Sequence, residues 1–142
     1  MADIIARCGF NCGRCLIYKD NLKGEEDRRR FRDALLKYYG DKLTLEQCYC
    51  DGCLTDDSKN PIRVNKECKI RPCVLEKGLD NCAYCEQYPC KILEPAMVDY
   101  QKVMERYGAP LPQEDYELFV EPYESRQTLD ALRDKRGDVK KQ

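Results

Sequence analysis

The stretch CKIRPCVLEKGLDNCAYCEQYPC, residues 68–90, decides how this chain can fold. It holds five cysteines and repeats the pattern Cys-x3-Pro-Cys, first at Cys68–Cys73 and again at Cys85–Cys90. Proline presets the backbone for a helical start, so each unit is predicted to place its second cysteine near a helix N-terminus. There the helix dipole and free N–H groups favour a thiolate. The repetition predicts that thiolate chemistry organises this region.

Outside the repeated unit, the remaining cysteines extend the same pattern. Three Cys-x2-Cys pairs occur: Cys12/Cys15, Cys50/Cys53 and Cys82/Cys85. Two intervening residues permit a tight turn that directs both sulfur atoms at one tetrahedral metal, with backbone N–H groups donating to the sulfurs. In the sequence CDGC, a glycine stands where such a turn calls for positive φ. The predicted metal ligands are Cys8, Cys12, Cys15, Cys50, Cys53, Cys68, Cys73, Cys82, Cys85 and Cys90.

The residue types that are missing narrow the chemistry further. The chain has 11 cysteines and no histidine, which excludes histidine-based acid–base catalysis and mixed Cys/His zinc sites. The odd cysteine count argues against a closed disulfide framework. No catalytic residue is predicted, and Cys48 is the candidate free thiol.

Composition favours a small cytoplasmic protein whose apolar core is too small to stabilise the fold by itself. Leu, Ile, Val and Phe make up 29 of 142 residues, near the lower limit for globular chains. One structural zinc contributes about 10–16 kcal/mol in small peptides, as much as the net stability of a typical domain, about 5–15 kcal/mol. The net charge of −1 indicates neither nucleic acid nor membrane as a partner. No signal-peptide pattern opens the sequence, and a cytoplasmic location is expected.

Apolar spacing predicts a mainly α fold: a small helical domain with irregular cysteine-rich metal-binding loops. The firmest helix is EEDRRRFRDALLKYY, closed by Gly40. A short helix is expected in NCGRCLIYKDNLKG, and helical turns are expected from Pro72 and from Pro89. Only DIIAR, residues 3–7, is strand-like.

The C-terminal part is predicted to hold further helices. One begins at Pro95 in PAMVDYQKVMERYG, and another pattern covers residues 112–136 around Pro122. A single domain is expected over residues 1–136, followed by a disordered tail over 137–142.

Spacing leaves the metal and the grouping of its ligands open. The pairs suggest one site from Cys12, Cys15, Cys50 and Cys53, and a second drawn from the later cysteines. Two structural Zn²⁺ sites are the first interpretation, because zinc takes four thiolates in a closed tetrahedral site. An iron–sulfur cluster, which also takes four cysteines, is the alternative.

One further arrangement of cysteines invites a different interpretation. The N-terminal CGFNCGRC has the Cys-x3-Cys-x2-Cys spacing used by radical-SAM enzymes. The partial barrel of alternating strands and helices typical of those enzymes does not follow it, and Arg14 stands where an aromatic residue usually precedes the third cysteine. That interpretation is disfavoured.

The complete cysteine pattern resembles an uncharacterised family of small cysteine-rich prokaryotic proteins, known only as a domain of unknown function. The resemblance rests on CG-x2-C-x2-C, CDGC, CKIRPC, EKG and C-x2-C-x3-PC, and spans residues 8–90. It implies that ten cysteines belong to the shared pattern and that Cys48 departs from it.

Three function classes follow from these observations. The first is a zinc-binding module with structural metals that acts on a partner protein or in regulation. The second is an iron–sulfur electron carrier or redox sensor, and the third is a thiol-based redox enzyme. Segment 59–77 carries six basic residues, which are interpreted as compensating thiolate charge rather than as a nucleic-acid surface.

Overall fold

Five α-helices and irregular connections make up the computed structural model, which describes the backbone of residues 2–141 and the side chains of residues 2–135. The helices are α1 Glu25–Tyr39, α2 Ile70–Glu76, α3 Tyr100–Tyr107, α4 Gln113–Phe119 and α5 Ser125–Lys141. Across the described backbone there is no β-strand; two isolated bridges pair Ile5 with Asn11 and Tyr18 with Cys50. The predicted mainly α class is confirmed, and DIIAR forms no strand.

Helix α1 follows its sequence pattern closely. Three acidic residues occupy its first turn, where they complement the helix dipole, and Phe31, Ala34 and Tyr38 are buried. Gly40 ends the helix in a left-handed conformation, φ 73°, and its N–H donates to the carbonyl of Leu36 at 3.1 Å. The prediction for residues 25–39 is confirmed.

The short helices begin at residues other than the predicted prolines. Helix α2 starts at Ile70, and Pro72 is its third residue, where a missing N–H leaves no helical bond unmade. Helix α3 starts at Tyr100, because the Asp99 carboxylate accepts a hydrogen bond from the backbone N–H of Gln101 at 2.9 Å. Pro95 lies instead in a 3-10 turn, Glu94–Ala96.

One further predicted helix is wrong, and the turns predicted from Pro89 are reduced to one. Near the N-terminus, only a 3-10 turn forms, Cys12–Arg14, because the side chain of Asn11 is engaged elsewhere. It accepts a hydrogen bond from the N–H of Ile4 and donates one to Asp3. After Pro89, whose peptide bond with Tyr88 is cis, a single turn forms instead of a longer helix: the N–H groups of Leu93 and Glu94 donate to the carbonyl of Cys90 at 3.1 and 3.0 Å.

The C-terminal prediction is correct in outline. A 3-10 turn containing Pro122, Glu121–Tyr123, separates α4 from α5. The disordered tail over 137–142 and the domain limit at 136 stay predictions; Gln142 lies outside the described residues. Among the helices of residues 2–141, none has the length and apolar character that a membrane crossing requires.

Buried side chains form two apolar clusters. The first lies between α1, α3 and α4: Leu16, Ile17, Phe31, Ala34, Tyr38, Cys48, Val103, Leu111, Phe119 and Val120. The second joins the N-terminal loop, α2 and α5: Ala6, Cys8, Ile70, Val74, Cys82, Ala83, Leu93 and Leu129. The cysteine-rich loops border both clusters, so the thiols lie where the two cores meet the irregular backbone.

The N-terminal loop packs tightly against α5. Gly9 has φ 90°, and a Cβ atom there would lie 2.6 Å from Cγ of Leu129. The N–H of Asn11 also donates to the carbonyl of Pro122 at 2.7 Å. This contact fixes the segment that carries Cys8 and Cys12 against the C-terminal half of the chain.

Candidate metal centre

Six cysteines from three separate segments are linked by electrostatic interactions. The Cys8 sulfur interacts electrostatically with those of Cys12, Cys53 and Cys68. The Cys12 sulfur in turn interacts with those of Cys15, Cys50 and Cys53. We refer to these residues as the six-thiol group: Cys8, Cys12, Cys15, Cys50, Cys53 and Cys68.

Four cysteines form a second set around α2 and the following loop. The Cys82 sulfur interacts with those of Cys73, Cys85 and Cys90, and the ammonium of Lys77 interacts with the same three. We refer to Cys73, Cys82, Cys85 and Cys90 as the four-thiol group.

Cys48 belongs to neither group. Its side chain is fully buried in the first apolar cluster, and its Sγ lies 3.4 Å from the carbonyl oxygen of Thr44, to which it donates. Burial raises the pKa of this thiol, although Arg32 and Arg28 oppose the shift. A buried thiol that resists ionisation is a poor nucleophile, so this position does not favour catalysis by Cys48.

Backbone N–H groups favour ionised sulfur in the six-thiol group. The N–H of Gly52, φ 94°, donates to Sγ of Cys50 at 3.4 Å, inside the CDGC turn. Backbone N–H groups also act to lower the pKa of four other thiols: Cys8 through Phe10, Cys12 through Cys53, Cys15 through Ile17 and Tyr18, and Cys53 through Arg7. A thiol is a weak acceptor and a thiolate a strong one, so these donors suit ionised, metal-bound sulfur.

A tyrosine hydroxyl adds to this set. Tyr123 donates from its Oη to Sγ of Cys15 at 2.9 Å. Burial, and then Cys15, raises the pKa of the Tyr123 phenol well above its ordinary value. The phenol therefore keeps its proton and remains a donor to the sulfur.

Cations lie beside both groups. Lys77 donates from Nζ to Sγ of Cys85 at 3.3 Å. The guanidinium groups of Arg71 and Arg7 both interact favourably with a Cys53 thiolate. Arg71 also donates from Nε to the carbonyl of Cys53 at 2.9 Å, and Arg7 donates from Nη1 to the carbonyl of Asp80 at 2.8 Å. Both arginines are thereby held close to the thiols.

Burial opposes ionisation of these thiols. Burial, together with the smaller effect of neighbouring thiols, raises the pKa of Cys12 and of Cys82 to about 12. A divalent cation would supply the charge that several buried thiolates need. Within residues 2–141, no three Cys, Asp or Glu side chains are gathered as a metal-holding group, so binding requires the sulfurs to move closer together.

The observed neighbours differ from the pairing suggested by spacing. Cys12, Cys15, Cys50 and Cys53 do lie together, and the structure adds Cys8 and Cys68 to them. Cys68 therefore does not join the later cysteines. The two Cys-x3-Pro-Cys units are also unlike: the first divides its cysteines between the groups, whereas the second keeps both in the four-thiol group.

The basic residues of segment 59–77 turn in part toward the loops. Arg63 and Arg71 are 20% and 14% exposed, and both pair with Asp57, at 3.1 and 3.0 Å. Arg63 also donates to the carbonyls of Gly52 and Thr55. Together with Lys77, they stabilise loops and sulfurs.

Two contacts from the C-terminal half could not be found from sequence spacing. Tyr123 lies far along the chain from its partner Cys15. Arg133, on α5, donates from Nη1 to the carbonyls of Ala83 and Cys85, at 2.7 and 3.0 Å. Neither residue stands near a cysteine in the sequence, so no local motif indicates its role.

Residues 4–95 match the family DUF3795, described as a protein of unknown function, and the chain belongs to this family. The match confirms the resemblance seen in the cysteine pattern and includes all ten candidate ligands. Helices α3, α4 and α5 lie beyond it. The chain matches none of the curated proteins and none of the solved structures with which it was compared.

Proposed function

We propose that this protein is a cytoplasmic zinc-binding module in which zinc holds the cysteine-rich loops together and the folded loops contact a partner protein. The observation that carries the proposal is the direction of the hydrogen bonds at sulfur. Cys50 accepts the backbone N–H of Gly52, and Cys15 accepts the hydroxyl of Tyr123. Backbone N–H groups beside Cys8, Cys12, Cys15 and Cys53 also act to lower the pKa of those thiols. Donors placed around sulfur stabilise thiolates, and buried thiolates need a cation.

Zinc is preferred because it is bound in structural sites by thiolates alone, in four-coordinate geometry. The four-thiol group has the ligand number of one such site, and the six-thiol group has enough for at least one more. An iron–sulfur cluster would also accept four cysteines, and it would give the protein a redox role instead. Metal analysis separates the two functions.

The loop between Cys53 and Cys68 is the proposed partner-binding element. Leu54 and Ile62 expose 44% and 56% of their surface on it. The loop is held by the hydrogen bonds of Arg63 and by Asp51, whose carboxylate accepts the N–H of Ile62 at 2.7 Å. Because both ends of the loop are proposed ligands, metal binding would fix its shape.

The decisive experiment is metal analysis of the full chain purified without oxygen. A whole number of zinc ions per chain, at least two, in a colourless protein supports the proposal. Brown protein with iron and acid-labile sulfide would show that it carries a cluster instead. The matched control is Cys48→Ser, which is expected to keep the full metal content because this thiol lies apart from both groups.

A further inference from the structure

We propose that the loop after Cys53 binds an acidic segment of a partner protein, one that also carries apolar side chains. We refer to residues 54–69 as the docking loop. This inference rests on the proposed function and deepens it, because it names the chemistry of the partner that meets the loop. Three features of the docking loop carry it: a fixed shape, outward-facing apolar side chains and lysines that enter no ion pair.

Hydrogen bonds close the docking loop on the turn that precedes it. The N–H of Asp51 donates to the carbonyl of Ile62 at 2.7 Å, and the Asp51 carboxylate accepts the N–H of Ile62 at the same distance. Arg63 donates to the carbonyls of Gly52 and Thr55 at 3.0 and 2.6 Å. A loop held in this way keeps its shape without helices or strands, so a partner that binds it pays little ordering entropy.

An acidic side chain joins the docking loop to helix α2. The Asp57 carboxylate pairs with Arg63 at 3.1 Å and with Arg71 at 3.0 Å. Arg71 also donates to the carbonyl of Cys53 at 2.9 Å. Leu75 follows Arg71 by one helical turn, on the same face of α2, and is 42% exposed. The docking loop and this face of α2 therefore form one surface.

The apolar side chains of this surface point outward. Ile62 and Val64 are 56% and 36% exposed, whereas Arg63 between them turns inward and is 20% exposed. Leu54 is 44% exposed. With Leu75, these residues are four of the six exposed large apolar side chains of residues 2–135. Grouped exposure of this kind marks a protein interaction site.

The free charges of the docking loop are positive. Residues 59–69 contain four basic residues and one acidic residue, although the net charge of the chain is −1. Arg63 is used inside the loop. Lys59, Lys66 and Lys69 are exposed, and they enter none of the ion pairs formed within residues 2–135. Carboxylates of a partner would complement these lysines.

A protein segment suits this surface better than an anionic membrane does. Residues 54–69 contain no Trp, Tyr or Phe, the side chains that anchor proteins at membrane interfaces. Asp56 and Asp57 also lie close to Leu54 in the sequence and would repel anionic lipids over the whole contact. A peptide can instead place its carboxylates beside the lysines and its apolar side chains beside Leu54 and Ile62.

Selection from a displayed library of random peptides on the full chain tests the inference. The chain is purified without oxygen, and its zinc content is measured on the same preparation. Recovered peptides are expected to be enriched in Asp and Glu together with Leu, Ile or Phe. The selection uses the unsubstituted chain, so it does not depend on whether a variant folds.

Variants then locate the binding surface, with a synthetic copy of one recovered peptide as the probe in fluorescence anisotropy. Leu54→Ser/Ile62→Ser should weaken binding by at least about tenfold, because two apolar contacts are lost. Lys66→Glu should weaken it by about fivefold, and added salt should reduce this difference. The matched controls are Leu36→Ser, at a leucine that is 50% exposed on α1, and Lys42→Glu, which makes the same charge change outside the loop. Both should bind as the unsubstituted chain does.

The outcomes separate this inference from the proposed zinc binding. Recovered peptides without acidic enrichment, equal binding by docking-loop variants and controls, or tighter binding to phosphatidylserine vesicles than to the recovered peptides would overturn the inference. Each of these results leaves the zinc content, and with it the zinc-binding function, standing. A zinc-free chain that still recovers acidic peptides supports the inference and overturns the zinc-binding function.

Discussion

The hydroxyl of Tyr123 offers the sharpest test of a metal-bound Cys15. The substitution Tyr123→Phe removes one donor, which lies 2.9 Å from the sulfur, and leaves the ring in place. A hydrogen bond to a charged acceptor contributes about 1.5–3 kcal/mol, and one to a neutral acceptor about 0.5–1.5 kcal/mol. In the proposed metal-bound form Cys15 is a thiolate, and without metal it is a thiol, so the substitution should destabilise the bound form more.

The difference between the two forms sets the expected loss of affinity. It amounts to about 1–2 kcal/mol, which corresponds to a zinc dissociation constant about 5- to 30-fold higher. The assay is competition for zinc against a chromophoric chelator under anaerobic conditions. Chemical denaturation of both forms gives the accompanying change in the free energy of unfolding.

A matched control is available in the same apolar cluster. Tyr39 donates from its hydroxyl to the carbonyl of Phe119 at 2.5 Å, with no sulfur involved. Tyr39→Phe should lower the free energy of unfolding by about 1 kcal/mol in both forms and leave zinc affinity unchanged. Equal affinities for Tyr123→Phe and the unsubstituted chain, or equal losses in both variants, would refute the reasoning.

Four further substitutions, one of them a control, have defined outcomes. Lys77→Met removes the ammonium that lies 3.3 Å from the sulfur of Cys85. It should weaken zinc binding by only about two- to fivefold, because this contact is exposed and screened by solvent. Competition with a chelator measures the change in affinity. Cys48→Ala should lower the free energy of unfolding by about 1–2 kcal/mol with zinc content unchanged, as checked by urea denaturation and metal analysis; zinc loss would contradict its separate position. Gly9→Ala should lower the free energy of unfolding by about 2–4 kcal/mol, because it adds a clash with α5 to the strain of a positive φ. Gly78→Ala, at φ 68° with open space around the added Cβ, should lower it by only about 1–2 kcal/mol. Equal shifts in melting temperature for the two variants would refute the clash.

Sequence reasoning succeeded where the determining signals are local. Helix α1 has acidic residues at its start, apolar residues at helical spacing and Gly40 at its end, and all three act within one segment. The start of α3 also had a local signal, since Asp99 is a favoured N-cap residue, but Pro95 gave a competing one. Pro95 lies in a 3-10 turn instead, because the Asp99 carboxylate accepts the free N–H of Gln101 and so begins the helix later.

The arrangement of the thiols depends on contacts that spacing does not record. Cys68 and Cys73 belong to one repeated unit, yet they face different neighbours because α2 begins between them. The contact of Tyr123 with Cys15 links the two ends of the chain through the packing of the first apolar cluster. Such neighbours follow from tertiary structure, whereas cysteine spacing and the family resemblance select the ten candidate ligands from the eleven cysteines. Their role as ligands stays a prediction.

The placement of Tyr123 and Arg133 has a consequence for the order of events during synthesis. Every proposed ligand is made before either residue, and about 30 residues separate the last cysteine from Tyr123, which is about 2–6 seconds of translation. Thiols can therefore meet zinc while the groups that orient Cys15 and the Cys82–Cys85 turn are still missing. Docking of the C-terminal helices then adds the hydrogen bonds to Cys15 and to the Cys82–Cys85 turn. We therefore expect zinc that binds during synthesis to be held tightly only after α5 has packed against the loops.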